Sequence, residues 1–166
     1  MSDQEFTITR EFDAPRELVW KAWTDCAYFS QWWGPREFTT SHCSIDARPG
    51  GDWISAMRSP EGRDFWSSGT FVEIDAPRRF VVDEGFSDKT GARVSPQEYG
   101  MTDDMPSEDR ITVTLEEHQG RTRLTMVQGI PRDVAERNGA PEGWAQSFDK
   151  LEAYLAALQR GGETVH

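Results

Sequence analysis

Basic residues are scarce in this 166-residue chain. Eighteen Lys and Arg stand against 29 Asp and Glu, a formal net charge of −11. Neutralising phosphates takes clustered Lys and Arg, so nucleic acid is excluded as a partner. An anionic membrane surface is equally unsuited. No run approaches the roughly 18 apolar residues of a membrane-spanning helix. No basic start followed by an apolar stretch marks a secretory leader, and the expected location is the cytoplasm. Cysteine is limited to Cys26 and Cys43, without CxxC spacing or a framework around them. They read as reduced thiols of a cytoplasmic protein. Of the three histidines, His42, His118 and His166, none has a further ligand at metal spacing on its own element. His42 adjoins Cys43, but neighbouring strand residues point to opposite faces. No metal site and no cofactor are expected. Ser and Thr lack a nucleophile-elbow context, and Gly50-Gly51 is a turn rather than a phosphate loop. There is no internal repeat.

What is present is a strong pattern. The length suits one domain, residues 1–166, able to bury a core without disulfides or metal. Residues 5–13 alternate, with Phe6, Ile8, Arg10 and Phe12 on one face. Ala14-Pro15 opens a helix whose buried side is Leu18, Val19, Ala22 and Trp23. Thr24-Asp25 ends it and caps a second short helix, and Gly34-Pro35 closes that region. Strands are predicted over 38–46, 51–58, 64–75, 78–86, 109–117 and 121–129. Arg48-Pro49-Gly50-Gly51, Ala76-Pro77 and Gln119-Gly120 mark turns between them. A turn of helix is expected at 132–138. The terminal helix spans 141–160: Trp144, Phe148, Leu151, Leu155 and Leu158 step by four and three and lay one apolar stripe along it.

Residues 87–108 break the alternation. Between Asp83 and Glu117 there are ten carboxylates and three basic residues, which read as a solvated surface. So long a loop is either a surface excursion packed down by Tyr99 and Met101 or a lid over a cavity. A helix is about 10–12 Å across, and seven strands at about 4.8 Å are far wider. An antiparallel sheet of that size must curl around the single long helix to bury its inner face. The expected fold is α+β, and the space left inside is filled by side chains or by a ligand.

The run Thr9-Arg10-Glu11-Phe12-Asp13-Ala14-Pro15, with Val19-Trp20, Ala22-Trp23-Thr24-Asp25 and Gln31-Trp32-Trp33-Gly34-Pro35, resembles the opening of the family called activator of heat-shock-protein-90 ATPase homologue. Asp46-Ala47-Arg48-Pro49-Gly50-Gly51-Asp52-Trp53, Val113-Thr114-Leu115, Thr122-Arg123-Leu124-Thr125 and Gly143-Trp144 through Leu155 continue the likeness in order. Glu98-Tyr99-Gly100-Met101 and Gln146 through Leu151 resemble small stand-alone bacterial members. The resemblance implies the START-like (SRPBCC) superfamily and its helix-grip fold, also that of the birch-pollen allergen. Relatives include a co-chaperone domain linked to stress response, polyketide cyclases, lipid carriers and an antibiotic-sequestering protein, so fold alone does not fix function.

Seven Trp and nine Phe supply the rigid apolar surface that a concave site uses. The inward set is expected to be Trp53, Met57, Phe71, Val82, Val113, Leu124, Met126, Trp144, Phe148 and Leu151. Trp32, Trp33 and Phe86 are placed at the mouth, and His42, Gln128 or Gln146 provide polar tips. Arg10, on an apolar face, needs a partner: an ion pair with Asp46 or Glu73, or a ligand's acid group. The leading expectation is binding or sequestration of a small hydrophobic, aromatic or polycyclic ligand by a monomer or homodimer. The alternatives are a chaperone-ATPase-activating module and a cyclase or aromatase. An enzyme would need an inward acid–base pair such as His42 with Asp46 or Asp83. No cluster declares a reaction, and catalysis is not the leading expectation.

Overall fold

The structure is a computed structural model and describes residues 5–162. Seven strands form one antiparallel sheet: β1 (Glu5–Phe12), β2 (Thr39–Ile45), β3 (Asp52–Arg58), β4 (Asp64–Asp75), β5 (Arg79–Ser87), β6 (Asp109–His118) and β7 (Arg121–Pro131). Their spatial order is β1-β7-β6-β5-β4-β3-β2. Each hairpin pairs sequence neighbours, and β1 closes against β7 with Arg10 opposite Leu124 and Phe12 opposite Thr122. Two short helices, α1 (Arg16–Thr24) and α2 (Cys26–Phe29), follow β1. Then α3 (Arg132–Arg137) and the long α4 (Ala140–Gly162) follow β7.

The helix boundaries have local causes. Pro15 stands just before α1, where its missing N–H costs no helical bond. Asp25 ends α1 and caps α2, its carboxylate accepting from the Ala27 N–H at 2.9 Å. No helix among the described residues is long and apolar enough to cross a membrane.

The inner face of the sheet carries Phe80 and Val82 from β5, Ile111, Val113 and Leu115 from β6, and Leu124, Met126 and Ile130 from β7, all buried. Against them α4 lays Phe148, Leu151 and Leu155, and α1 lays Val19 and Trp23. Trp32 fills the junction without exposure, its indole N–H donating to the Ala22 carbonyl at 2.9 Å. Arg10 reaches across to α4 and pairs with Asp149 and Glu152, the latter at 2.9 Å. Its partners are therefore on the helix, neither Asp46 nor Glu73. Asp46 bonds Arg48 and Glu73 bonds Arg79.

The cysteines overturn the expectation of free thiols: Cys26 and Cys43 form a disulfide, with a Cα–Cα distance of 5.8 Å. The cause lies in β2. A bulge between Thr40 and His42 inserts one residue, which reverses the facing of everything after it. Thr40 opposes Met57, but beyond the bulge Cys43 opposes Ser55 and Ile45 opposes Trp53. Cys43 and Ile45 thus turn inward, and Cys43 meets α2.

Candidate functional site

Between the inner face and α4 the side chains do not close up. A cavity of about 190 Å³ is walled by Trp33, Met57, Phe86, Ile111, Ile130 and Trp144, among others. A smaller void of about 40 Å³ lies under Trp23, Phe29, Trp53, Phe71, Phe80 and Val82. The two share Trp33, Glu84, Ile111 and Trp144 as walls. Gly69 of β4 faces Glu84, and a Cβ there would come within 2.7 Å of the Trp53 Nε1.

The long segment after β5 covers the mouth. Met101, Met105 and Pro106 line the cavity, and a single 3₁₀ turn at Pro96–Tyr99 anchors the cover. The Tyr99 hydroxyl donates to the Ser87 carbonyl at 2.8 Å, and its ring lies 5.2 Å from those of Phe65 and Phe86. Asn138, between α3 and α4, accepts from the Thr102 N–H at 2.9 Å and donates to the Thr102 hydroxyl at 2.9 Å. Arg137 pairs with Asp104. On the sheet's other side, Gly85 leaves room for the Ser107 carbonyl, which a Cβ would meet at 2.1 Å. On the opposite rim, Lys150 of α4 donates to the Pro35 and Phe38 carbonyls at 3.2 and 3.0 Å. Burial lowers the pKa of this ammonium below its ordinary value.

One side of the cavity is polar. Glu84 of β5 and Asp109 of β6 are direct cross-strand partners, both facing inward and both lining the cavity. Asp109 is only 9% exposed and accepts from the Gln128 amide at 2.6 Å. The Gln128 oxygen accepts from the Trp144 indole at 3.4 Å. Burial, and then the neighbouring Asp109 charge, push the Glu84 carboxyl well above the usual carboxylate range. Two like charges placed opposite one another in an apolar wall cannot both ionise cheaply, so the pair holds a proton.

Among the residues the sequence singled out, Trp33, Met57, Phe86, Gln128 and Trp144 come together around the larger cavity. Trp53, Phe71 and Val82 surround the smaller one. Trp32, Val113, Leu124, Met126, Phe148 and Leu151 are packed core, and none of them lines either space. His42 does not face inward: the β2 bulge leaves it exposed on the outer side, with its ring 5.2 Å from Trp66. Gln146 is taken up by accepting the Arg36 N–H at 3.0 Å. Asp83 points outward and pairs with Arg110 at 2.7 Å, so no acid–base pair forms from His42, Asp46 and Asp83. Glu84 and Asp109 fall within the acidic stretch that reads as a solvated surface, yet both line the cavity. Parity would have found them: Glu84 alternates with Phe80, Val82 and Phe86, and Asp109 with Ile111, Val113 and Leu115. Among the described residues no group of three or more His, Cys, Asp or Glu could hold a metal ion.

A curved antiparallel sheet gripping one long terminal helix, with a cavity kept between them, defines a helix-grip protein of the START-like class. The profile described as activator of Hsp90 ATPase homolog 1-like protein matches residues 13–156, and the chain belongs to that family. Solved structures similar to it include a solution structure of an Arthrobacter aurescens protein, with TM-score 0.79 and 28% identity over 93% of this chain and 87% of that one. A Mycobacterium smegmatis crystal structure gives TM-score 0.73 and 26% identity over 89% and 87%. One from Nitrosomonas europaea gives 0.75 and 25% over 96% and 99%. A search among curated proteins found no match.

Proposed function

We propose that the protein binds a small hydrophobic, aromatic molecule between its sheet and α4, to sequester or carry it. The observation supporting this is the cavity of about 190 Å³ with tryptophan, methionine and phenylalanine in its walls. An apolar cavity of about 150 Å³ is enough for benzene, whereas drug-sized ligands take about 300–1,000 Å³. A guest of one ring therefore fits the space as it stands. A polycyclic one needs the Met101–Pro106 cover to move outward. Affinity would come from burying ligand area at about 25 cal/mol per Å². A cytoplasmic location goes with a Cys26–Cys43 pair that opens and closes, since cytosolic disulfides are usually transient.

Two measurements test the binding reading. Native mass spectrometry of protein from its own host should find a retained small molecule. Titration with ethylbenzene should change the tryptophan fluorescence, because Trp33 and Trp144 line the space. No retained molecule and no response up to the solubility limit would sink the reading.

One observation favours a second reading, an enzyme of the cyclase or aromatase kind. Glu84 and Asp109 are an inward carboxyl pair with displaced titration, the arrangement acid–base chemistry uses. Conversion of the retained molecule by wild type but not by Glu84→Gln would support it, and an unchanged molecule would dismiss it. A chaperone ATPase as partner is suggested by family membership alone, and an ATPase assay without stimulation retires that idea.

A further inference from the structure

Given the apolar-cavity reading above, we infer that the ligand is a cationic aromatic amine, held with its ammonium against Glu84 and Asp109 and its ring among Trp33, Met57 and Trp144. The cavity lining contains these two acids and no Lys, Arg or His. A ligand carboxylate would therefore meet like charge in a low-dielectric wall.

Hydrogen-bond accounting points the same way. One of the two Gln128 amide N–H groups is donated to Asp109, and the Trp144 indole N–H is donated to Gln128. The proton held by the acidic pair lies between Glu84 and Asp109 themselves. Among the described residues no other side chain or backbone N–H donates to Glu84. Against the one remaining Gln128 N–H stand the carboxyl oxygens of Glu84 and Asp109, so this pole offers mainly acceptors. The Trp23 and Trp33 indole N–H groups are also unpaired, but each nitrogen is covered by its neighbours. The Ser67 and Ser147 hydroxyls in the lining serve either role. A ligand with donors at one end and an apolar body completes this site.

Binding a cation also changes the proton count. The charges near Glu84 are Asp109 across the strand pair, with Arg93 and Glu108 from the flanking loop; α4 brings no titratable group to the cavity. An ammonium favours the doubly ionised pair, so binding expels the shared proton, and affinity rises with pH until the free pair has lost it or the amine itself gives up its proton.

Isothermal titration with benzylamine, ethylbenzene and benzoate tests this, since the three share a ring and differ in the head group. Benzylamine should bind at least about tenfold tighter than ethylbenzene, and benzoate should not bind. Proton release should appear as a buffer-dependent heat with benzylamine only. Glu84→Gln with Asp109→Asn should abolish the preference for benzylamine over ethylbenzene. If that variant does not fold, the pH dependence and proton release of the wild type decide. Ethylbenzene binding as tightly as benzylamine, benzoate binding best, or a preference surviving both substitutions overturns the amine while the cavity reading stands. Failure of all three probes overturns both.

Discussion

Glu84 is the residue whose placement costs the fold most visibly. Its carboxyl titrates well above the ordinary range, first because it is buried and next because Asp109 faces it. In the unfolded chain the same group loses its proton near its normal pKa. Between these two points the folded state holds the extra proton, so stability falls as pH rises through that window. Glu84→Gln should therefore match wild type in acid and exceed it at alkaline pH in urea unfolding. Asp83, its outward neighbour, behaves oppositely: the Arg110 hydrogen bond lowers its pKa, and its contribution fades as pH drops below the carboxylate range. Phe148 belongs to packed core at 0% exposure, and Phe148→Ala should cost about 3–5 kcal/mol by the same assay. Phe86 lines the cavity and is only partly covered. Phe86→Ala should lose roughly 1 kcal/mol of ethylbenzene affinity with a smaller loss of stability.

Among the elements, the segment covering the cavity is the one that the proposed ligand would have to pass. Its middle is fastened at Thr102 by Asn138 and at Asp104 by Arg137. Asn138 also donates to the Val134 carbonyl at 2.8 Å, so the clasp and the end of α3 share one side chain. Asn138→Ala leaves the Thr102 N–H without its acceptor, a change worth about 1–3 kcal/mol where the group stays covered. Hydrogen exchange at residues 100–106 should quicken, and stopped-flow release of an aromatic probe should be faster. Unchanged exchange would mean that Tyr99 and the methionines hold the cover alone.

For the molecule as a whole, the disulfide is the one covalent tie, joining α2 to the edge strand β2 across 17 residues. Closing a loop of about 15 residues is worth about 3 kcal/mol in the chain-entropy account. For a domain of this size, reduction or Cys26→Ser should lower Tm by roughly 6–12 °C. Equal melting with and without dithiothreitol would show that the pair carries no such constraint. The tie sits beside the smaller void, which Phe29 and Ile45 help wall, so reduction should also loosen binding at that end.

Local pattern was enough for the elements. The alternation of Phe6, Ile8, Arg10 and Phe12 gives β1 at Glu5–Phe12, and the four-and-three stepping of Trp144, Phe148, Leu151 and Leu155 gives α4, because these periods are properties of consecutive residues. The order of hairpins then fixes the neighbours in the sheet. Absolute facing needed more. One inserted residue in β2 sent His42 out and brought Cys43 in. Arg10 found its carboxylates 139 and 142 positions away on a helix. Glu84 met Asp109 only once β5 and β6 had paired. Facing, pairing and void are set by where the twisted sheet carries each side chain relative to α4. That depends on bulges and on contacts between distant segments, which no run of neighbouring residues contains.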